Sequence, residues 1–181
     1  MTNRKITKIL IANRGEIALR IIRTAHEMGI STVAVYSETD VVAPHVLAAD
    51  EAVCLGPGPS SESYLLADKV LQAAIDTGAN GIHPGYGFLS ENADFAEQVE
   101  KAGVAFIGPG TMAIRTMGDK LQAKEAVRAR NIPLVPGTDG AISDAKEALK
   151  EAQRIGMPLI IKASAGGGGK GMRSVFKIED V

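Results

Sequence analysis

The chain has 181 residues, with 20 Lys and Arg against 21 Asp and Glu for a net charge of −1, a balance that argues against nucleic acid or an anionic membrane surface as its partner. A single cysteine, Cys54, excludes a disulfide framework and a cysteine-built metal site, and it points to a reducing compartment, the cytoplasm. The apolar run at 9–12 is shorter than the ~7–15 residues of a signal core, no run approaches the ~18 of a membrane span, and the length suits one complete domain with a piece of another.

Glycine makes up 20 of the 181 residues, above the usual ~7%, and the excess falls between apolar runs as short αβ connections require. Residues 8–12 read as a buried strand, and Asn-Arg-Gly-Glu at 13–16 turns it into a helix with Ile17, Ile21, Ile22, Ala25 and Met28 on one face. Gly29 stops that helix. Further strands are expected at 32–36, 51–54, 80–83 and 104–107, with helices near 45–49 and over 64–77. Strands alternating with helices at this spacing predict an α/β fold, a Rossmann-like parallel sheet with helices on both faces. A dinucleotide site is disfavoured, because the 13–16 turn holds one glycine where the fingerprint needs three, and Glu16 would repel a phosphate.

Residues 109–134 read as a helical linker, with helices at 111–117 and 120–130 split by Gly118 and Asp119. A second lobe is expected over 135–181. There Ser143 is expected to cap a helix running to about Ile155, with Asp144 and Glu147 in its first turn. A strand at 159–162, a glycine-rich loop and a strand at 174–176 complete it. Four glycines, Gly166, Gly167, Gly168 and Gly169, flanked by Lys162 and Lys170, leave backbone N–H groups free to approach anionic oxygens. Lys170 is followed by Gly171 and Met172 rather than by Ser or Thr and a helix, so a P-loop is ruled out. Strand, glycine loop, strand describes a hairpin folding over a triphosphate, as in protein kinases and ATP-grasp enzymes; the plain alternative is a surface hairpin.

The run His-Pro-Gly-Tyr-Gly-Phe-Leu-Ser-Glu-Asn at 83–92 follows the fourth strand at its carboxyl end, the edge where open α/β sheets keep their ligand sites. Its His83, Tyr86, Glu91 and Asn92 favour a functional loop over packing, although Ser90 or Asn92 also suits a helix cap. Neither His26 nor His45 stands at a metal-ligand spacing from His83, which argues against zinc. Lys120 opens a helix, where the dipole gives its charge nothing, so the charge is either used elsewhere or simply solvated. Arg20, Arg23 and Glu27 share a stripe of the first helix, either solvated or a polar dimer contact.

Together, Ile-Ala-Asn-Arg-Gly-Glu-Ile-Ala at 11–18, the 83–92 run, Met-Gly-Asp-Lys at 117–120 and the lysine-flanked glycine loop closely resemble biotin carboxylase over the whole chain. The resemblance implies a pre-ATP-grasp domain at 1–108, the helical linker at 109–134 and a truncated ATP-grasp lobe with its lid at 135–181. It implies a ligase in which ATP phosphorylates bicarbonate to carboxyphosphate and the carboxyl group passes to N1′ of carrier-bound biotin. In that reading Lys120, Lys162 and the four glycines contact ATP, while Tyr86 with His83 and Glu91 shapes the biotin and bicarbonate pocket. Arg20, Arg23 and Glu27 then form a homodimer contact, and Met157–Pro158 is expected to be cis.

The family's Mg²⁺ carboxylates, general base and carboxyphosphate-holding arginine are expected beyond Val181, so the chain alone is expected to be inactive. Its partners would be a biotin carboxyl carrier and a carboxyltransferase of an acetyl-CoA, propionyl-CoA or pyruvate carboxylase. The competing reading is a noncatalytic nucleotide-sensing or assembly module of ATP-grasp type.

Overall fold

The computed structural model describes residues 5–138, 140–162 and 171–181, and for Lys120 the backbone alone. The chain forms two compact units, Met1–Arg115 and Thr116–Val181. In the first, β1 (Lys8–Ile11), β2 (Ser31–Ser37), β3 (Glu51–Gly56), β4 (Gly81–His83) and β5 (Ala105–Phe106) are joined through α1 (Gly15–Glu27), α2 (Pro44–Ala48), α3 (Ala67–Asp76) and α4 (Ala93–Lys101). The sheet runs β3-β2-β1-β4-β5, every pair parallel, with Ile9 of β1 beside Thr32 on one side and Gly81 on the other.

The period-two alternation of a strand explains how β1 serves two cores. Ile9 and Ile11 point to one face, against Ala18, Ile21, Ile22 and Ala25 of α1. Leu10 and Ala12 point to the other, where Val33, Val35 and Ile82 meet Val70 of α3 and Phe95 and Val99 of α4. Leu10, Ile11, Ile22, Ile82 and Val99 are completely buried, each contributing about 1.5–3 kcal/mol by leaving water. Helices therefore cover both faces of a parallel sheet, the architecture that the strand and helix alternation predicts.

Several boundaries move for identifiable reasons. The helix expected from residue 64 begins at Ala67, because the buried Tyr64 turns inward to take a hydrogen bond from the Ser37 amide. The fifth strand starts at Ala105, since the Val104 amide bonds back to Val99 at the end of α4.

A further helix, α5 (Thr111–Gly118), spans the division between the units. The second unit holds α6 (Lys120–Arg128), α7 (Ala145–Ile155) and an antiparallel hairpin of β6 (Leu159–Lys162) and β7 (Met172–Val175). Asp119 caps α6, accepting from the amides of Leu121 and Gln122. The cap of α7 is Asp144, which accepts from the Glu147 amide, rather than the expected Ser143. Ser143 instead donates its amide and hydroxyl back to the Glu147 carboxylate, so the capping exchange is displaced by one residue and leaves a carboxylate at the positive end of the helix.

The second hairpin strand ends at Val175, leaving Phe176 unpaired and exposed, where residues 174–176 were expected. The Met157–Pro158 bond is cis, as the resemblance implies. Among the described residues, no helix is long and apolar enough to cross a membrane.

Candidate functional site

The central strand β1 has β2 on one side and β4 on the other, and the chain leaves β1 and β4 toward opposite faces, to α1 and to α4. The two departing loops diverge and leave a crevice beyond the carboxyl ends of the strands, the place where such sheets bind ligands. Here the loops are clasped together. The Ala12 amide donates to the His83 carbonyl at 2.9 Å, continuing the β1–β4 ladder. Asn13, 4% exposed, then donates through Nδ2 to the carbonyls of Pro84 at 2.8 Å and Tyr86 at 2.7 Å, while its Oδ1 accepts from the Arg14 amide.

Gly85 lies against this side chain with φ of +65°, and a Cβ there would stand 2.8 Å from Asn13 Nδ2, so both conformation and space require glycine. The Gly85 amide in turn donates to His83 Nδ1 at 3.0 Å, which places the proton of the neutral ring on Nε2. Burial holds the His83 pKa below the ordinary histidine value, favouring that neutral form.

Tyr86 emerges from the clasp exposed and donates its hydroxyl proton to Glu16 Oε1 at 2.5 Å. That bond to a carboxylate raises the tyrosine pKa. A cavity of about 250 Å³ lies beside it, lined by Asn13, Arg14, Ile17, Tyr86, Gly87 and Phe88. Phe88 holds a left-handed backbone, φ +43°, and stacks on Tyr64 with ring centroids 5.2 Å apart.

Arg14 also sits over the Tyr64 ring, 5.4 Å from its centroid, and its Nη1 bonds Asp40 Oδ2 at 3.0 Å. The same carboxylate oxygen takes the Tyr64 hydroxyl at 2.6 Å and the Ser37 hydroxyl at 3.1 Å. Burial alone would push the Asp40 carboxyl up, but the bonds from Tyr64, Arg14 and Ser37 prevail and hold it below the usual carboxylate range. Tyr64 is pushed up to about 12, by burial and by donating to Asp40. Arg14 is thus a fixed cation whose neutralising partner stands away from the cavity lining.

Of the residues singled out from the sequence, the structure brings Tyr86 and His83 into this clasp with the 13–16 turn. Asn92 caps α4, accepting from the Phe95 amide, and Glu91 is exposed on the same loop. Arg20, Arg23 and Glu27 are exposed together on α1. Lys162 ends β6 in the second unit, opposite Met172 and exposed, and Lys120 is the first residue of α6. Gly166, Gly167, Gly168, Gly169 and Lys170 lie outside the described residues. Arg14, Asp40 and Tyr64 were missed by sequence reasoning; Arg14 lay inside a quoted motif, whereas Asp40 and Tyr64 stand in none.

Among the described residues no group of three or more His, Cys, Asp or Glu is placed to hold a metal ion. What the cleft offers is recognition: a phenol oxygen, a guanidinium, an aromatic face and a rigid backbone.

Residues 5–114 match the family model described as the N-terminal domain of biotin carboxylase. The chain belongs to the biotin carboxylase family. Residues 119–181 match a second model, the ATP-binding domain of the carbamoyl-phosphate synthase L chain. The biotin carboxylase of Haemophilus influenzae is 58% identical over 176 residues, covering 97% of this chain and 39% of that protein. The mitochondrial propionyl-CoA carboxylase alpha chain of Caenorhabditis elegans is 58% identical, covering 93% of this chain and 23% of that one.

Among solved structures, the biotin carboxylase domain dimer of Hydrogenobacter thermophilus 2-oxoglutarate carboxylase, in complex with MgADP, ADP and bicarbonate, matches with a TM-score of 0.91 and 47% identity. That match covers 98% of this chain and 39% of the other. The chain therefore spans about two-fifths or less of the relatives it matches.

Proposed function

We propose that the chain is the N-terminal part of an ATP-dependent ligase that carboxylates biotin with bicarbonate. The observation that carries this reading is the clasp between the 13–16 turn and the 83–87 loop at the sheet's switch point, in a chain whose two halves match the biotin carboxylase N-terminal domain and an ATP-binding domain in that order. In the reaction a bicarbonate oxygen takes the γ-phosphoryl group of ATP and ADP leaves. The carboxyl group of the resulting carboxyphosphate then passes to N1′ of biotin, with release of phosphate and loss of the N1′ proton.

Tyr86, with His83 and Glu91 on its loop, lines the biotin and bicarbonate side. Lys120 and Lys162 contact the phosphates or the adenine side of ATP and the glycines Gly166–Gly169 close over the triphosphate, cations and bare amides being the groups that stabilise charge on a transferring phosphoryl. Mg²⁺ neutralises the phosphates when bound, on ligands from outside this chain. Arg20, Arg23 and Glu27 form a homodimer contact, a carrier domain delivers the biotin, and a separate carboxyltransferase takes the product in the cytoplasm.

Replacing the matching segment of the Haemophilus influenzae enzyme by residues 1–181 tests this directly. The expected chimera forms ADP only when bicarbonate and biotin are both present, and Lys162→Ala lowers that rate by about tenfold or more, the scale of one lost charge-assisted contact. The 181 residues alone are expected to bind ATP weakly and to show no such turnover. A folded chimera without biotin-dependent ADP formation, or a chain that binds ATP tightly and indifferently to Lys162→Ala, would instead favour the nucleotide-sensing module.

A further inference from the structure

The sequence holds one Asn-Gly pair, Asn80–Gly81, and it falls where β4 begins. In such a pair the glycine amide readily attacks the asparagine side chain, because glycine puts no side chain of its own in the path. The fold keeps both partners engaged. Asn80 Oδ1 accepts from the amides of Thr7 at 3.0 Å and Lys8 at 3.1 Å, and its Nδ2 donates to the Lys5 carbonyl at 3.0 Å. The Asn80 amide donates to the Lys8 carbonyl, and Lys8 Nζ reaches the Thr77 carbonyl at 2.7 Å. Residues 5–8 are thereby strapped across the entry to β4.

Gly81 lies beneath that strap. It is buried and stands opposite Ile9 in the sheet, and a Cβ on it would meet Ile9 Cγ2 at 3.3 Å and Ile6 Cγ2 at 3.4 Å. Two effects on reactivity oppose each other here. The Thr7 and Lys8 amides polarise the Asn80 side-chain carbonyl as an oxyanion site would, which favours attack at Cγ. The attacking nitrogen, however, is buried away from the hydroxide that must take its proton. The second effect decides, since an amide that keeps its proton is no nucleophile.

We propose that Asn80–Gly81 is a masked deamidation site, which the lifting of residues 5–8 exposes and whose reaction stops the strap from closing again. Hydroxide removes the Gly81 amide proton, the nitrogen bonds to Asn80 Cγ, and the Cγ–Nδ2 bond breaks. Ammonia leaves with a proton from water, and the cyclic imide then adds water to give aspartate or isoaspartate. Aspartate sets a carboxylate oxygen against the Lys5 carbonyl where Nδ2 had donated. Isoaspartate routes the main chain through Cγ and adds a methylene just ahead of the Ile9–Gly81 register. Either product turns a reversible opening into a lasting one.

The test incubates the 181-residue chain at about pH 8, natively and in unfolding urea. The mass gain of the peptide containing Asn80 reports deamidation, and electron-transfer fragmentation separates isoaspartate from aspartate. The unfolded chain is expected to react about a hundredfold or more faster, the combined worth of the strap's hydrogen bonds. Below the unfolding transition the native rate is expected to stay nearly flat with urea, because lifting residues 5–8 exposes little surface. Ile6→Ala, which thins the cover over Gly81, is expected to raise the native rate about fivefold. Purified deamidated chain is expected to exchange the amides of residues 5–8 faster than the unmodified one, with β2 unchanged.

No reaction at Asn80 even in urea, equal rates in the folded and unfolded chains, or unaltered protection of residues 5–8 after deamidation overturns the proposal. So does a native rate that climbs with urea as steeply as global unfolding, an arm that needs no variant.

Discussion

His45 is 1% exposed, and neither ring nitrogen finds a hydrogen-bond partner. Burial holds its pKa below the ordinary histidine value; the nearby Val35 backbone, which lacks hydrogen-bond geometry, and the Asp40 charge offset this only in part. A histidine whose folded pKa lies below its unfolded one is neutral in both states at high pH. As pH falls through about 6.5 the unfolded chain takes up the proton first, and stability is lost progressively toward the folded value.

His45→Leu removes this titration and two unsatisfied nitrogens, while His26 and His83 remain in both proteins and cancel. Urea unfolding at pH 8, 7, 6 and 5 is expected to shift the stability difference toward the leucine variant as pH falls, and a pH-independent difference would show that His45 is not the titrating group. The sequence displays His45 as one of three histidines and no more. Nor does it display the Asp40 cluster, because Arg14 and Tyr64 lie 26 and 24 residues from Asp40 and meet it only once the sheet is closed. Periodicity reports which side chains go inside, not which polar groups they will find there.

At the scale of elements, the candidate site is a pair of loops rather than a helix or strand, and its order depends on one glycine more than on another. Gly85 and Gly87 both hold left-handed backbone, at φ of +65° and +67°. A Cβ at Gly87 meets nothing within 4 Å, whereas one at Gly85 strikes the buried Asn13 side chain. Gly87→Ala is expected to cost only the left-handed strain, about 1–2 kcal/mol. Gly85→Ala adds a displaced Asn13 and its two hydrogen bonds, one buried and one partly buried, about 1 kcal/mol each, so it is expected to be the more destabilising by about 1 kcal/mol or more in chemical denaturation.

Equal costs would mean that Asn13 is not the fixed post of the clasp. The sequence marked this loop as rigid and functional through its glycines and proline, and the apolar run within 8–12 with the helical stripe of α1 was plainly legible. The clasp itself was not, because Asn13 reaches carbonyls 71 and 73 residues away, and backbone acceptors leave no residue signature. The shifted cap of α7 was missed for a local reason: Ser143 and Asp144 are both good caps, and only the backbone angles choose between them.

For the molecule as a whole, burial is divided unequally between the two units. Every buried hydrophobic residue of the two core clusters belongs to Met1–Arg115. Among the described residues of Thr116–Val181, only Ala152 and Val175 are buried hydrophobics, while Ile160, Ile161, Met172 and Phe176 are exposed along or beside the β6–β7 hairpin. Since apolar burial supplies most of the favourable free energy of folding, a hairpin with little of it opens locally at small cost, whereas the strands at the sheet centre open only with the unit. Hydrogen exchange followed by mass spectrometry is therefore expected to show amides of β6 and β7 exchanging about a hundredfold or more faster, relative to their intrinsic rates, than those of β1, β2 and β4. Lys162 sits at the end of that hairpin, so under the proposed function a nucleotide that meets Lys162 has to order the strand that carries it, and part of its binding free energy is spent on that ordering. Saturating ATP is expected to slow exchange in β6 and β7 and to leave β1 unchanged. Protection of the hairpin equal to that of the sheet without nucleotide would place the stability of the second unit somewhere other than in its buried apolar side chains.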